Sequence, residues 1–229
     1  MEVFEKSDDY FYEGTKILKN KLNIQDKELL KESERKLSSL RISELMNSPI
    51  KGNFDFNHLK KINYYIFQDL YDWAGETRRS EIAKMDLFCL YDKIDFFANE
   101  IFTNLQNELY YINYDYNTKV VKLMELFADI NAMHPFREGN GRTQREFIEE
   151  LGKVIGIELD LTVINQQEMI KASHNSMNGD YNLLLEIFKN NSKQISKELQ
   201  IYYIYNYCDT RLAKELFDNI MKNNKIERR

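Results

Sequence analysis

Proline is almost missing from this chain: there are two, Pro49 and Pro135, in 229 residues, with only eight glycines and five valines. Sheet-rich folds need frequent turn residues and β-branched runs, so this scarcity argues against an all-β architecture and predicts an all-α one. Cysteine is scarce too. Cys89 and Cys208 lie far apart and belong to no CxxC or Cys/His cluster, which excludes a disulfide framework or a zinc site as the organising feature. A basic excess is lacking: Lys and Arg total 32 against 37 Asp and Glu, a net charge of −5. That balance predicts neither a nucleic-acid partner nor an anionic membrane surface. No apolar run reaches the roughly 18 residues that suggest a membrane span. The charged opening MEVFEKSDDY does not read as a signal peptide. The expected setting is a reducing, cytoplasmic one.

What is present is a helical pattern. Apolar and aromatic residues make up 43% of the chain, enough for a full core, since a chain of this size hides roughly three-quarters of its unfolded surface. Length predicts one domain, or one domain with a small extension. From Asn57 as N-cap, Leu59, Ile62, Ile66, Leu70 and Trp73 mark one helical face that stops at Gly75. Leu90 to Leu105, Val120 to Ile130 and Phe147 to Ile155 give three more stripes. Asn165 with Glu168 resembles a capping box, Asp180 is placed to cap a short helix after it, and a last helix is expected from Asp209 to about Met221. Residues 75–88 carry no stripe and read as a loop or weak hairpin. His58, at a predicted helix start, reads as a capping or surface residue.

One window is dense in chemistry: His134-Pro-Phe-Arg-Glu-Gly-Asn-Gly-Arg-Thr-Gln-Arg145. It joins the third and fourth stripes as helix, loop, helix. Pro135 disfavours helix for the residue before it, so His134 is expected at the end of the first helix. Gly139 and Gly141 let the backbone approach a ligand closely. The second helix is expected to begin near Gly141 or Arg142, with its unpaired first-turn N–H groups making an anion site. Arg142 and Arg145, three residues apart, share one face of that turn. Glu138 beside them is costly next to phosphate unless a cation joins the two, and Mg²⁺ suits carboxylate and phosphate oxygens. Histidine accepts a proton near neutrality. A histidine before proline, or a GNG triplet, is ordinary alone; their combination in twelve residues points to a Mg²⁺–polyphosphate site with an imidazole at its edge.

The window resembles the Fic-domain signature HxFx(D/E)GNGRxxR, matched by His134, Phe136, Glu138, Gly139, Asn140, Gly141, Arg142 and Arg145. YFYEGTKILKNKLNIQDKELLKESE (10–34), IFQDLYDWAGETRRSEIAKMDLFC (66–89) and QQEMIKASHNSMNGDYNLLLEIF (166–188) are similar to one large bacterial branch of that family. The resemblance implies a Fic-type catalytic domain over 1–190, with a helical lead-in, and a C-terminal helical extension of unknown role over 191–229. It implies a compact all-α core with a short β-hairpin flap, and transfer of AMP from Mg²⁺-ATP to a Ser, Thr or Tyr hydroxyl of a target protein with release of pyrophosphate. By position, His134 would be the general base and Glu138 the Mg²⁺ ligand. Gly139, Asn140 and Gly141 would form the anion hole, with Asn140 touching the α-phosphate, while Arg142 and Arg145 would bind the β- and γ-phosphates. Phe136 would anchor the loop. The flap, residues 77–84, would dock the target backbone, with Ile82 and Lys84 nearest the site. Tyr181 is an adenine-pocket candidate. A phosphate-transferring branch has Lys where this chain has Gly141, so glycine favours adenylyl transfer.

Alternative readings are hydrolytic removal of AMP at the same site and a catalytically idle nucleotide-binding interaction module. Many Fic proteins are held off by a helix bearing (S/T)xxxE(G/N), whose glutamate pairs with the last motif arginine. Here Glu13 precedes Gly14, but four positions earlier stands Asp9. The resemblance therefore implies the toxin branch, inhibited by a separate small antitoxin, with Glu13 incidental.

Overall fold

The computed structural model describes residues 9–82 and 88–226. Nine α-helices and one two-stranded sheet are present among them: α1 Lys27–Asn47, α2 Phe56–Phe67, α3 Ile94–Asn107, α4 Tyr116–Met133, α5 Asn140–Ile155, β1 Ile157–Leu159, α6 Gln166–Met177, α7 Asn182–Asn190, β2 Ser192–Gln194, α8 Lys197–Tyr207 and α9 Thr210–Ile226. The all-α expectation holds.

The organising element is α5. Phe147, Ile148, Leu151, Val154 and Ile155 are fully buried, and α2, α4 and α8 pack around the helix. Its ends are both glycine-made: Gly139 and Gly156 adopt left-handed backbone, φ 80° and 94°. Polar side chains start five of the other helices. Asp26, Asp55, Asp115, Asn165 and Ser196 each accept a backbone N–H of the first turn, a cap that contributes about 1 kcal/mol.

Several boundaries differ from expectation. α2 is capped by Asp55, not Asn57, and ends at Phe67. The apolar pattern runs on through Leu70 and Trp73 because successive turns replace the helix: Leu70 and Tyr71 N–H bond to Phe67 O, and Glu76 N–H to Trp73 O. Gly75 closes this segment against α2, where a Cβ would fall 2.7 Å from Tyr64 Cβ. α5 begins at Asn140, slightly earlier than expected. α1 escaped the periodicity reading since only Leu30, Ser38 and Leu45 are buried along its 21 residues. His58 is not a surface residue: it is 1% exposed, with Nε2 2.8 Å from Ile50 O and Nδ1 accepting from Phe54 N–H at 3.3 Å. Burial pushes its pKa down to about 4, so it is a neutral core residue.

Among the described residues the regular sheet lies outside the expected flap segment. β1 and β2 pair antiparallel, Ile157 with Gln194 and Leu159 with Ser192, and so stitch the chain beyond α7 to the end of α5. α8 continues that attachment: Gln200 Nε2 donates to Val154 O at 3.0 Å and Lys153 Nζ to Tyr207 OH at 3.4 Å. In the flap segment, Thr77 bridges antiparallel to Phe136, while Lys84 lies outside the described residues.

Candidate active site

The site grows from the six residues between α4 and α5. α4 ends when His134 takes a left-handed conformation, φ 46° and ψ 61°, as its N–H closes the last turn on Ile130 O. Histidine is among the non-glycine residues that tolerate this region. Arg78 fixes the turn from outside: its Nε donates to His134 O at 2.8 Å and its backbone N–H to Pro135 O at 2.9 Å. Its other nitrogens reach Ser80 O and Cys89 O, so a guanidinium 1% exposed is satisfied by carbonyls. Burial lowers its pKa, with Glu81 opposing.

His134 Nδ1 lies 3.3 Å from Asn131 O. With Nδ1–H donating there, Nε2 carries the lone pair that can take a proton. The Phe88 ring stacks on the imidazole at 3.7 Å, fixing its plane.

Phe136 is 1% exposed and anchors the loop in the core. Asn140 braces it twice, Oδ1 accepting from Phe136 N–H at 2.9 Å and Nδ2 donating to Phe136 O at 2.7 Å. That side chain is committed to the loop, so an anion at the start of α5 meets the Asn140 backbone N–H. Gly139 is required by contact: a Cβ there would sit 2.0 Å from Phe67 Cε2. Asn63 of α2 ties the loop to the core, donating to Glu138 O at 3.2 Å and Thr143 Oγ1 at 3.0 Å, and accepting from Gly75 N–H at 2.8 Å.

The charged groups differ in how they are held. Glu138 Oε1 accepts from Gly139 N–H at 2.8 Å and lies 3.5 Å from Arg142 Nη2. Arg142 turns to α1, bonding Glu34 Oε1 at 2.6 Å and Ser38 Oγ at 3.0 Å above the Phe67 ring. Arg145 has no hydrogen bond or ion pair among the described residues. Burial lowers its pKa, opposed by the nearby Glu149 carboxylate. An open, half-buried guanidinium is a ready anion receptor.

Ile82, His134, Arg137, Glu138, Asn140 and Gly141 line one cavity of about 90 Å³. The structure thus gathers the imidazole, the carboxylate, the glycine-flanked helix start and the flap residue Ile82 around one space. Arg142 and Arg145 of α5 are not among its lining residues, nor is Tyr181, which is exposed at the N-cap of α7. A larger cavity of about 730 Å³ lies between α3 and α4 and shares Phe88 as its border with His134. The described residues hold no group of three metal-binding side chains. A single carboxylate beside an anion nest nevertheless fits Mg²⁺, which is commonly held by one or two carboxylates together with phosphates.

Arg78, Asn63, Glu34, Ser38, Tyr71, Phe67 and Phe88 were not singled out for the site from the sequence. A signal existed for Asn63, a polar residue on the apolar face of α2 between Ile62 and Ile66; nothing local marked the others.

Comparison with known proteins bears on the family. Residues 53–151 match the Fic/DOC family model. The chain is 36% identical over 193 residues to protein adenylyltransferase VbhT of Bartonella schoenbuchensis, covering 83% of this chain and 40% of that one. It therefore spans under half the length of that relative. It is 31% identical over 194 residues to Fic of Escherichia coli K12, covering 84% of this chain and 94% of the other. The N-terminal Fic domain of a VirB-translocated Bep effector of Bartonella quintana, solved with bound ADP, superposes with a TM-score of 0.76 at 26% identity, covering 83% of this chain and 96% of that one. With its motif loop, its helical core and a relative of 31% identity matched over 94% of that relative's length, the chain belongs to the Fic/DOC family.

Proposed function

We propose that this protein transfers AMP from Mg²⁺-ATP to a Ser, Thr or Tyr hydroxyl of a target protein. The observation that carries this is the cavity shared by His134, Glu138, Asn140, Gly141 and Ile82. His134 Nε2 takes the hydroxyl proton as the oxygen attacks the α-phosphorus; the bond from that phosphorus to the bridging oxygen breaks, and pyrophosphate leaves. The backbone N–H groups at the start of α5 hold the α-phosphate oxygens where negative charge builds. Glu138 would hold Mg²⁺, which supplies charge neutralisation and orientation of the phosphates. Arg142 and Arg145 would bind the β- and γ-phosphates, and Ile82 and Lys84 would dock the target backbone as an added strand. Phe136 serves as the structural anchor. The names of adenylyltransferase relatives support the same chemistry.

In this reading the chain is the toxin of a toxin–antitoxin pair acting in the cytoplasm. Support comes from Arg145, which makes no ion pair within 4 Å among the described residues, and from Glu13, which is exposed. An antitoxin lending a glutamate to Arg145 would bias where the triphosphate sits. Residues 1–190 are the catalytic unit and 191–229 an extension fastened to α5. The deciding experiment incubates the chain and Mg²⁺ with bacterial lysate and ATP labelled at the α- or the γ-phosphate. Label should enter protein from α-labelled ATP only; transfer of γ-label alone would end the reading.

A further inference from the structure

Arg142 is the motif side chain most engaged by the surrounding fold, and its principal partners come from outside the motif. Glu34 Oε1 accepts from Nη2 at 2.6 Å, Ser38 Oγ from Nη1 at 3.0 Å, and the Phe67 ring lies 4.6 Å from the guanidinium carbon. The second Glu34 oxygen accepts Tyr71 OH at 2.5 Å. Burial, then the Glu34 carboxylate, raise the pKa of that phenol, so it remains a donor. The pair is well shielded, with Glu34 17% and Arg142 23% exposed at the side chain.

A second carboxylate faces the same nitrogen. Glu138 Oε1 lies 3.5 Å from Arg142 Nη2, against 2.6 Å for Glu34. Two acids therefore compete for one guanidinium edge, and the acid from α1 holds it. Resting on the AMP-transfer reading, we propose that Glu34 is a positioning residue that keeps Arg142 turned to α1 and so leaves the Glu138 carboxylate open to Mg²⁺. Without Glu34, the nearest anion to Arg142 is Glu138, four residues back in the loop before α5. The long 3.5 Å contact there would tighten into a full charge-assisted pair, which would have to be broken each time Mg²⁺ entered. Tyr71 and Ser38 fix the two halves of the α1 pair without adding formal charge. The helical lead-in is thereby tied to metal occupancy in a loop more than a hundred residues later.

The test uses the full chain and a fluorescent ATP analogue, titrated by anisotropy across Mg²⁺ concentrations and again in EDTA. Glu34→Gln should raise the Mg²⁺ midpoint for analogue binding about tenfold, with affinity in EDTA unchanged, because Arg142 exchanges one carboxylate for another. Tyr71→Phe should shift the midpoint the same way by about two- to threefold. An unchanged midpoint overturns the proposal. So does equal weakening with and without Mg²⁺, which is what a mere structural prop would give, and so does tighter binding in Mg²⁺, which would make Glu34 a competitor of phosphate. Should Glu34→Gln fail to fold, Tyr71→Phe decides by the same criteria. A wild-type chain whose analogue binding ignores Mg²⁺ would instead remove the underlying AMP-transfer reading, and the proposal with it.

Discussion

The two halves of α5 handle charge in opposite ways. At its N-terminal end Arg142 and Arg145 stand at a glycine-built loop, one engaged by α1 and the other open. Beginning with the residue after Arg145, Glu146, Glu149 and Glu150 are turned into the protein, and burial drives all three carboxyl pKa values up, Glu149 to about 7. Glu150 is 0% exposed and neither oxygen has a hydrogen-bond partner among the described residues. His58 Nε2, 3.9 Å away, does not compensate it, being itself neutral. The lesson is that one helix presents its charge where a ligand can reach it and, further along, buries carboxyl groups whose charged form burial disfavours.

The sharpest way to break this comparison is to leave α5 intact and remove the base before it. His134→Ala should lower AMP transfer by about 10²- to 10⁴-fold while nucleotide affinity stays near wild type; single-turnover assays beside nucleotide titration check it. Equal loss of binding would make His134 structural. Next in size is Gly139→Ala, which drives a Cβ into Phe67 and should both abolish nucleotide binding and lower Tm. Gly179→Ala, at φ 84° with nothing within 4 Å, should cost only about 1 kcal/mol of stability. Similar losses in the two would show that contact with Phe67 is not what demands glycine at 139. Arg145→Ala should weaken ATP binding about tenfold or more and AMP binding little, measured by calorimetry.

The buried half gives a smaller, pH-dependent effect. With the Glu150 pKa raised in the folded state, the unfolded chain gives up its proton first as pH rises. Stability present below the ordinary carboxylate range is therefore lost progressively toward the folded value. Glu150→Gln removes that loss, so its Tm should match wild type near pH 4 and exceed it by on the order of 2–5 °C at pH 8. A constant difference across pH would place the effect in packing. Smallest is Glu13→Gly, which should leave the rate of the isolated chain unchanged; a large increase would make the inhibitor intrinsic.

The sequence exposed whatever depended on local spacing. The stripes of α4 and α5 were legible because three- and four-residue periodicity is a local property, and the motif loop because its residues are contiguous. His58 misled because a histidine near a helix start looks the same whether its ring faces water or a carbonyl such as Ile50 O. Arg78 and Glu34 stayed hidden for a different reason. Each acts by reaching a residue far along the chain, His134 and Arg142 respectively, and neither sits in a pattern that reports such a partner. The sheet of β1 and β2 was missed since three-residue strands carry almost no periodic signal.

The left-handed turn at His134 has an electrostatic consequence. It ends α4 and, within six residues, the chain starts α5. The carbonyl-rich, partially negative terminus of one helix macrodipole thus lies beside the imidazole. The amide-rich terminus of the next lies where the phosphates would rest and favours their negative charge. In the proposed reaction a proton arrives at the first pole and electron density accumulates at the second. The backbone field across the turn is therefore oriented along the direction in which charge has to move, before any side chain contributes.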